Sequence, residues 1–327
     1  MEYLLLLLGL FLLLAGGEYL VKSGADLARR AGVSPLVIGM TVIAMGTSFP
    51  ELMVSLNAAI EGHPEIALGN AIGSNIANIG LVLAATVLIL PLPVQRNAAR
   101  RDTPFMLACC LMLTGMMADN RLQWYDGLIL LLIFSLFMYQ SFRRNRAEGN
   151  AEAKVESESK PPMPVWTALL VIVASTAALG WGADLLIDNA CVLAKSFGVP
   201  ERVISISLVA LGTSLPELVT SLIAASRKET DIAIGNIVGS NIFNIMVVLG
   251  IPAIVHPIDH FAFDNFRMDL VWMTGFALLL WLAILPLKQR ILRHPRTGEH
   301  FSTLGRMSGA LMLAGYIVYM ILLFQSK

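Results

Sequence analysis

Charge is scarce in this sequence. Only 14% of the 327 residues are charged, and 23 basic side chains balance 23 acidic ones. A zero net charge leaves no electrostatic footprint for nucleic acid. Cysteine is nearly absent: Cys109 and Cys110 are adjacent, Cys191 is remote, and no C-x-x-C spacing occurs. Neither a disulfide framework nor a zinc site follows from that pattern, so the three read as packing residues. No H-E-x-x-H and no G-x-S-x-G elbow is present, which argues against a membrane-embedded enzyme. No basic segment precedes the first leucine run, so that run is expected to be a retained helix rather than a cleaved signal peptide.

What fills the chain instead is apolar. Hydrophobic residues make up 56%, and mean hydropathy is +0.72. Repeated runs of about 20 apolar residues read as membrane-spanning helices. Ten are expected, at 3–21, 36–60, 66–90, 104–117, 124–142, 165–187, 203–226, 232–255, 268–287 and 304–324. The polar stretch 143–164, rich in Arg, Glu, Lys and Ser, cannot bury a core and is expected to be a flexible cytoplasmic linker. With both termini outside, only Arg121, Lys195, Arg202, Arg267 and Lys327 of the 23 basic residues lie on the outer side. The other 18 lie inside, which is the asymmetry expected of a multi-pass protein in this orientation.

The strongest internal signal is a duplication at an offset of 166 residues, which holds without a gap from Gly16/Gly182 to Ile79/Ile245. Residues 46–56 and 212–222 agree at eight of eleven positions, and residues 69–79 and 235–245 again at eight of eleven. Five spans per half is an odd number, so the halves would enter the membrane in opposite orientations. The fold expected is all-α and membrane-integral, with a first five-helix repeat (1–142), the linker (143–164) and a second five-helix repeat (165–327). Broken helices would meet at the midplane, the plan of many secondary transporters.

The chemistry sits in the duplicated segments. Gly46-Thr47-Ser48-Phe49-Pro50-Glu51 and Gly212-Thr213-Ser214-Leu215-Pro216-Glu217 each place a proline, two hydroxyls and a carboxylate inside an apolar run. Proline removes an N–H and breaks the helical ladder, freeing carbonyl oxygens beside the hydroxyls. In the next span, Asn70, Ser74 and Asn78 share a helical face, as do Asn236, Ser240 and Asn244. Gly69/Gly73 and Gly235/Gly239 have the small-xxx-small spacing that lets backbones approach. Two carboxylates among many neutral oxygens suit a hard cation such as Ca²⁺ or Na⁺. The plainer reading of each Ser or Asn is interhelical glue, but an intramembrane carboxylate is costly and points to function. Asn75 and Asn241 lie off the stripe and are expected to bond free backbone groups of the broken helices. Glu18 and Asp184, also 166 apart, could draw cations to the pathway mouths or simply reach the interface. His256 and His260 beside Asp259 make a weak metal candidate in an expected outside loop.

These motifs, each followed by G-S-N-I-x-N, resemble the paired repeats of the calcium/cation antiporter superfamily, the sodium/calcium exchangers, and most nearly its bacterial YrbG-type members. The resemblance spans nearly the whole chain. It implies Glu51 and Glu217 as shared calcium and sodium ligands. It further implies sodium-site oxygens from Thr47, Ser48, Ser74, Thr213, Ser214 and Ser240, with backbone carbonyls of Ala44 and Ala210, and Asn78 and Asn244 between the sites. An archaeal member has Asp where this chain has Asn244, so one negative charge fewer is expected here. The resemblance implies a secondary antiporter of the bacterial inner membrane that exchanges Ca²⁺ for Na⁺. A cation/H⁺ exchanger is the alternative, and a channel a more distant one. Inorganic cations and membrane lipid are the expected partners; no resident cofactor, nucleic acid or obligate protein partner is expected.

Overall fold

A computed structural model describes residues 2–153, 163–198, 212–259, 261–285, 292–293 and 300–325. Seven helices among them are long and apolar enough to cross a membrane: α1 (Glu2–Ala31), α4 (Pro64–Ile89), α6 (Trp124–Ala153, apolar to Arg143), α7 (Val165–Ser196), α9 (Thr230–Val255), α10 (Phe263–Ile284) and α11 (Arg306–Gln325). A bent pair, α2 (Pro35–Thr47) and α3 (Phe49–Ile60), whose axes differ by 48°, has together the length and composition of an eighth span. Two shorter apolar helices, α5 (Thr103–Met116) and α8 (Leu215–Ser226), fall at the fourth and seventh expected positions. The first part of the seventh lies outside the described residues. Helix α6 continues through Ala153, past the expected start of the linker, because Arg, Ala and Glu in that stretch are good helix formers.

Burial ranks the helices. The apolar windows of α4 and α9 are 72% and 89% buried, against 17–33% for α1, α6, α7, α10 and α11. The two repeat-equivalent helices that carry the Ser/Asn stripes therefore form the centre. Cys109 and Cys110 are buried on α5 and Cys191 is half-buried on α7, all three as free thiols.

Helices α1 and α7, the first of each half, pack along one another. Their backbones touch at glycine: a Cβ on Gly9 would lie 2.8 Å from the Gly182 carbonyl oxygen. Both helices end at a glycine in the left-handed region, Gly32 (φ 64) and Gly198 (φ 78), 166 residues apart. In the centre, Gly235 and Gly239 of α9 seat the backbone of α2, as their spacing predicts. A Cβ on Gly239 would come within 2.5 Å of the Met40 carbonyl oxygen. Gly239→Ala should therefore cost about 1–3 kcal/mol by overpacking and lower the melting temperature of the purified protein. Gly275→Ala, where no described atom lies within 4 Å of the added carbon, should not lower it.

The sequence suggested no strand, yet two short β tethers join the halves. Strands β1 (Leu92–Val94), β2 (Leu292–Arg293) and β3 (His300–Leu304) form an antiparallel sheet of order β1-β3-β2. A single bridge links Leu122 to Ile258 at the other end of α5. Leu92 and Ile258 are 166 apart, so the duplication reaches the loops as well.

Candidate functional site

Both halves place a serine of nearly the same backbone geometry before their proline-led helix. Ser48 separates α2 from α3 at φ −91°, ψ 12°, and Ser214 precedes α8 at φ −91°, ψ 2°. Pro50 and Pro216 occupy the second position of α3 and α8, where a missing N–H costs least. The same absence leaves the Gly46 and Gly212 carbonyls without their helical donor.

One residue beyond each proline, Glu51 and Glu217 are 0% exposed. They lie within electrostatic reach of one another. Ser48 donates from Oγ to Glu217 Oε1 at 2.8 Å, joining the break in one half to the carboxylate of the other. Thr47 and Ser240 also approach that carboxylate. Among the described residues no basic side chain pairs with either glutamate. Two neighbouring carboxylates removed from water with no counter-charge among the described residues are expensive to hold.

The stripe residues Ser74, Asn78, Asn236, Ser240 and Asn244 are buried, and Asn70 is half-buried. Asn78 and Asn244 each begin a π-helical turn, Asn78–Leu83 in α4 and Asn244–Val248 in α9. Such turns often mark functional positions. The turn at Asn78 packs on α8 and the turn at Asn244 on α3. Each asparagine turn thus meets the glutamate helix of the other half.

The supports around the site repeat as well. Asn70 Nδ2 donates to Ser55 Oγ at 2.8 Å, and Asn236 Nδ2 to Ser221 Oγ at 3.1 Å. Thr47 Oγ1 donates to Asn236 Oδ1 at 3.1 Å and lies 3.5 Å from Ser240 Oγ. The symmetry is incomplete: among the described residues Thr213 makes no bond equivalent to Thr47–Asn236, and the contacts at the carboxylates differ as well. Ser48 has Glu217, but its counterpart Ser214 and both oxygens of Glu51 have no hydrogen-bond partner. Glu217 Oε2, Thr220 Oγ1 and both side-chain polar atoms of Asn78 and Asn244 are likewise buried without one. Unpartnered buried polar groups are rare, and a set of them needs an explanation.

Some expectations shift. Asn75 Nδ2 meets Met273 Sδ at 3.6 Å and Asn241 Nδ2 bonds Ile237 O on its own helix at 2.7 Å. Among the described residues, neither of these bonds holds a broken helix. That role falls to Asn70, whose Nδ2 donates to the Glu51 carbonyl at 2.9 Å, because Asn70 faces α3 across a short turn. The Ala44 carbonyl accepts from Ser48 N at 3.0 Å; Thr47 Oγ1 lies 3.3 Å from it, but its single proton is shared with the nearer Asn236 Oδ1. Thr213 is half-buried beside Ser214, and Ala210 lies outside the described residues. So does His260; among the described residues no group of three or more His, Cys, Asp or Glu could hold a metal. Glu18 is paired with Arg227, which links α1 to the end of α8. Thr220 escaped the sequence reading because its counterpart is Val54, so the duplication hides it.

Residues 1–143 and 167–325 match the family model described as sodium/calcium exchanger protein. The chain belongs to the sodium/calcium exchanger family. Inner membrane protein YrbG of Escherichia coli is 35% identical over 333 residues, covering 98% of this chain and 96% of that protein. Sodium/calcium exchanger MaX1 of Methanosarcina acetivorans is 30% identical over 360 residues, covering 99% and 98%. The structure of the sodium-calcium exchanger NCX_Mj superposes with a TM-score of 0.79 at 31% identity, covering 98% of each chain. Exchangers are transporters rather than enzymes, and the multi-pass helical fold is the one this family uses.

Proposed function

We propose that the protein exchanges Ca²⁺ for Na⁺ across the bacterial inner membrane by alternating access to one central site. The observation that carries this reading is the Glu51–Glu217 pair: two buried carboxylates without a basic partner among the described residues, surrounded by unpartnered neutral polar atoms. A divalent cation neutralises both charges at once, and Ca²⁺ takes about 6–8 oxygens. In this reading Glu51 and Glu217 hold Ca²⁺, with the side-chain oxygens of Asn78 and Asn244 nearby. Thr47, Ser48, Ser74, Thr213, Ser214 and Ser240 supply oxygens for Na⁺, with the carbonyls of Ala44 and Ala210. A cation at Ala44 would share that carbonyl with the Ser48 N–H. Exchange follows because Ca²⁺ and Na⁺ compete for the same carboxylates.

The reading includes ten spans in two inverted repeats with both termini outside. The tethers at Leu92 and Ile258, equivalent in sequence but at opposite ends of α5, support the inversion. The single Ser48–Glu217 bond supports alternation: a two-fold site open to one side loses the equivalence of its halves. The names of the relatives, an inner membrane protein and a sodium/calcium exchanger, point the same way. The segment 143–164 joins the repeats on the inner side, and no resident cofactor takes part.

Coupling is tested in proteoliposomes loaded with Na⁺ and diluted into Na⁺-free medium containing calcium. Uptake should follow the imposed Na⁺ gradient and be stimulated by calcium on the opposite face. Uptake driven only by a proton gradient would replace Na⁺ with H⁺, and uptake without stimulation from the opposite face would make the protein a channel.

A further inference from the structure

We propose that an open groove between α1 and α8 binds an anionic glycerophospholipid of the surrounding bilayer. The groove, of about 600 Å³, is apolar along Phe11, Leu14 and Ile223 and charged at Glu18, Lys22 and Arg227. From Phe11 to Lys22 the helix rises roughly 16 Å, about half the ~30 Å hydrocarbon core. Arg227 caps α8 ten residues beyond Glu217, which places it about 15 Å from the buried carboxylates, again near an interface. The apolar walls therefore lie where an acyl chain lies, and the charges lie at headgroup depth.

The charged end is built to receive an anion. The Glu18 carboxylate pairs with Arg227, whose Nε donates to Glu18 Oε2 at 2.7 Å while a second nitrogen meets Oε1. That pairing fixes the guanidinium and uses two of its five N–H donors, leaving three for a phosphate. Lys22 is exposed one turn further along α1 and adds three more donors. The local balance is two positive charges against one negative.

The duplication supplies an internal control. The residues 166 positions from Glu18, Lys22 and Arg227 are Asp184, Asp188 and Glu61, so the equivalent place in the other half carries three acids. One architecture therefore carries opposite charge in its two halves, and only the basic copy can attract an anionic headgroup. A phosphatidylcholine headgroup has a phosphate too, but its ammonium cancels the net charge. A basic residue at the membrane surface favours an anionic lipid by about fivefold.

Native mass spectrometry of the full detergent-solubilised chain, in equal amounts of phosphatidylglycerol and phosphatidylcholine with matched acyl chains, tests this. The first lipid bound should be phosphatidylglycerol by about fivefold or more. Lys22→Gln and Arg227→Gln should each lower that ratio several-fold, while Asp188→Asn should leave it unchanged. Glu18→Gln should raise it, a change in sign that misfolding does not produce. An unselective wild-type protein, or a preference that survives both basic substitutions, would overturn the proposal. The readout is lipid binding, so it does not depend on which cations are exchanged.

Discussion

Glu51→Gln and Glu217→Gln should each lower sodium-dependent calcium uptake by about 100-fold or more, while the protein still inserts and purifies as a monodisperse species. Glutamine keeps the shape and removes one charge. A divalent ion then faces a single carboxylate in a place shielded from water, where each charge counts most. A factor of 100 is about 2.7 kcal/mol of binding, a modest demand on an interaction with a buried ionic group. The two losses should be similar over a full cycle, although only Glu217 is held by a serine in this state. In the proposed cycle, alternation would hand that contact to Ser214 and Glu51, so each carboxylate would serve in turn. Uptake in vesicles, normalised to inserted protein, measures both variants. Full activity in both would remove the glutamates from the site.

Asn244→Asp should act in the opposite direction on binding. Both polar atoms of the Asn244 side chain are buried and unpartnered, and its π-helical turn packs on the glutamate helix α3. Aspartate fits the same space and adds a third negative charge facing the site. Calcium affinity should rise about tenfold, equivalent to about 1.4 kcal/mol, and turnover should fall because release must overcome the added attraction. Calorimetry on the purified protein reads the first and vesicle uptake the second. Weaker calcium binding in this variant would place Asn244 away from the ion.

Much of this site is legible in the sequence because its residues are anomalous there. A proline and a glutamate inside an apolar run have no inexpensive structural role, and their recurrence at one fixed offset ties Ser48 to Ser214 and Asn78 to Asn244. The support pairs Ser55–Asn70 and Ser221–Asn236 were within reach by the same reasoning, since all four positions repeat. Other features lie beyond it. Helical spacing places Asn75 and Asn241 on a face but does not say that the neighbour offers a methionine sulfur or only a carbonyl of the same helix. The bond from Ser48 to Glu217 breaks the symmetry that the duplication asserts, and symmetric sequence cannot encode which half is engaged. The Glu18–Arg227 pair joins residues 209 apart with no counterpart in the other half, so no pattern announces it. The β tethers are two to five residues long, too short for alternation to register.

The central claim is that Glu51 and Glu217 together hold the transported cation. Its most direct test is a crystal of this protein soaked in Sr²⁺, a heavier stand-in for Ca²⁺, with data collected for anomalous scattering. We expect one dominant anomalous peak between the two carboxylates, within about 2.7 Å of oxygens from both, a slightly longer reach than the 2.3–2.6 Å of Ca²⁺. The peak should vanish in Glu217→Gln. A peak elsewhere in the molecule, or one that persists at full height without the Glu217 carboxylate, would contradict the account.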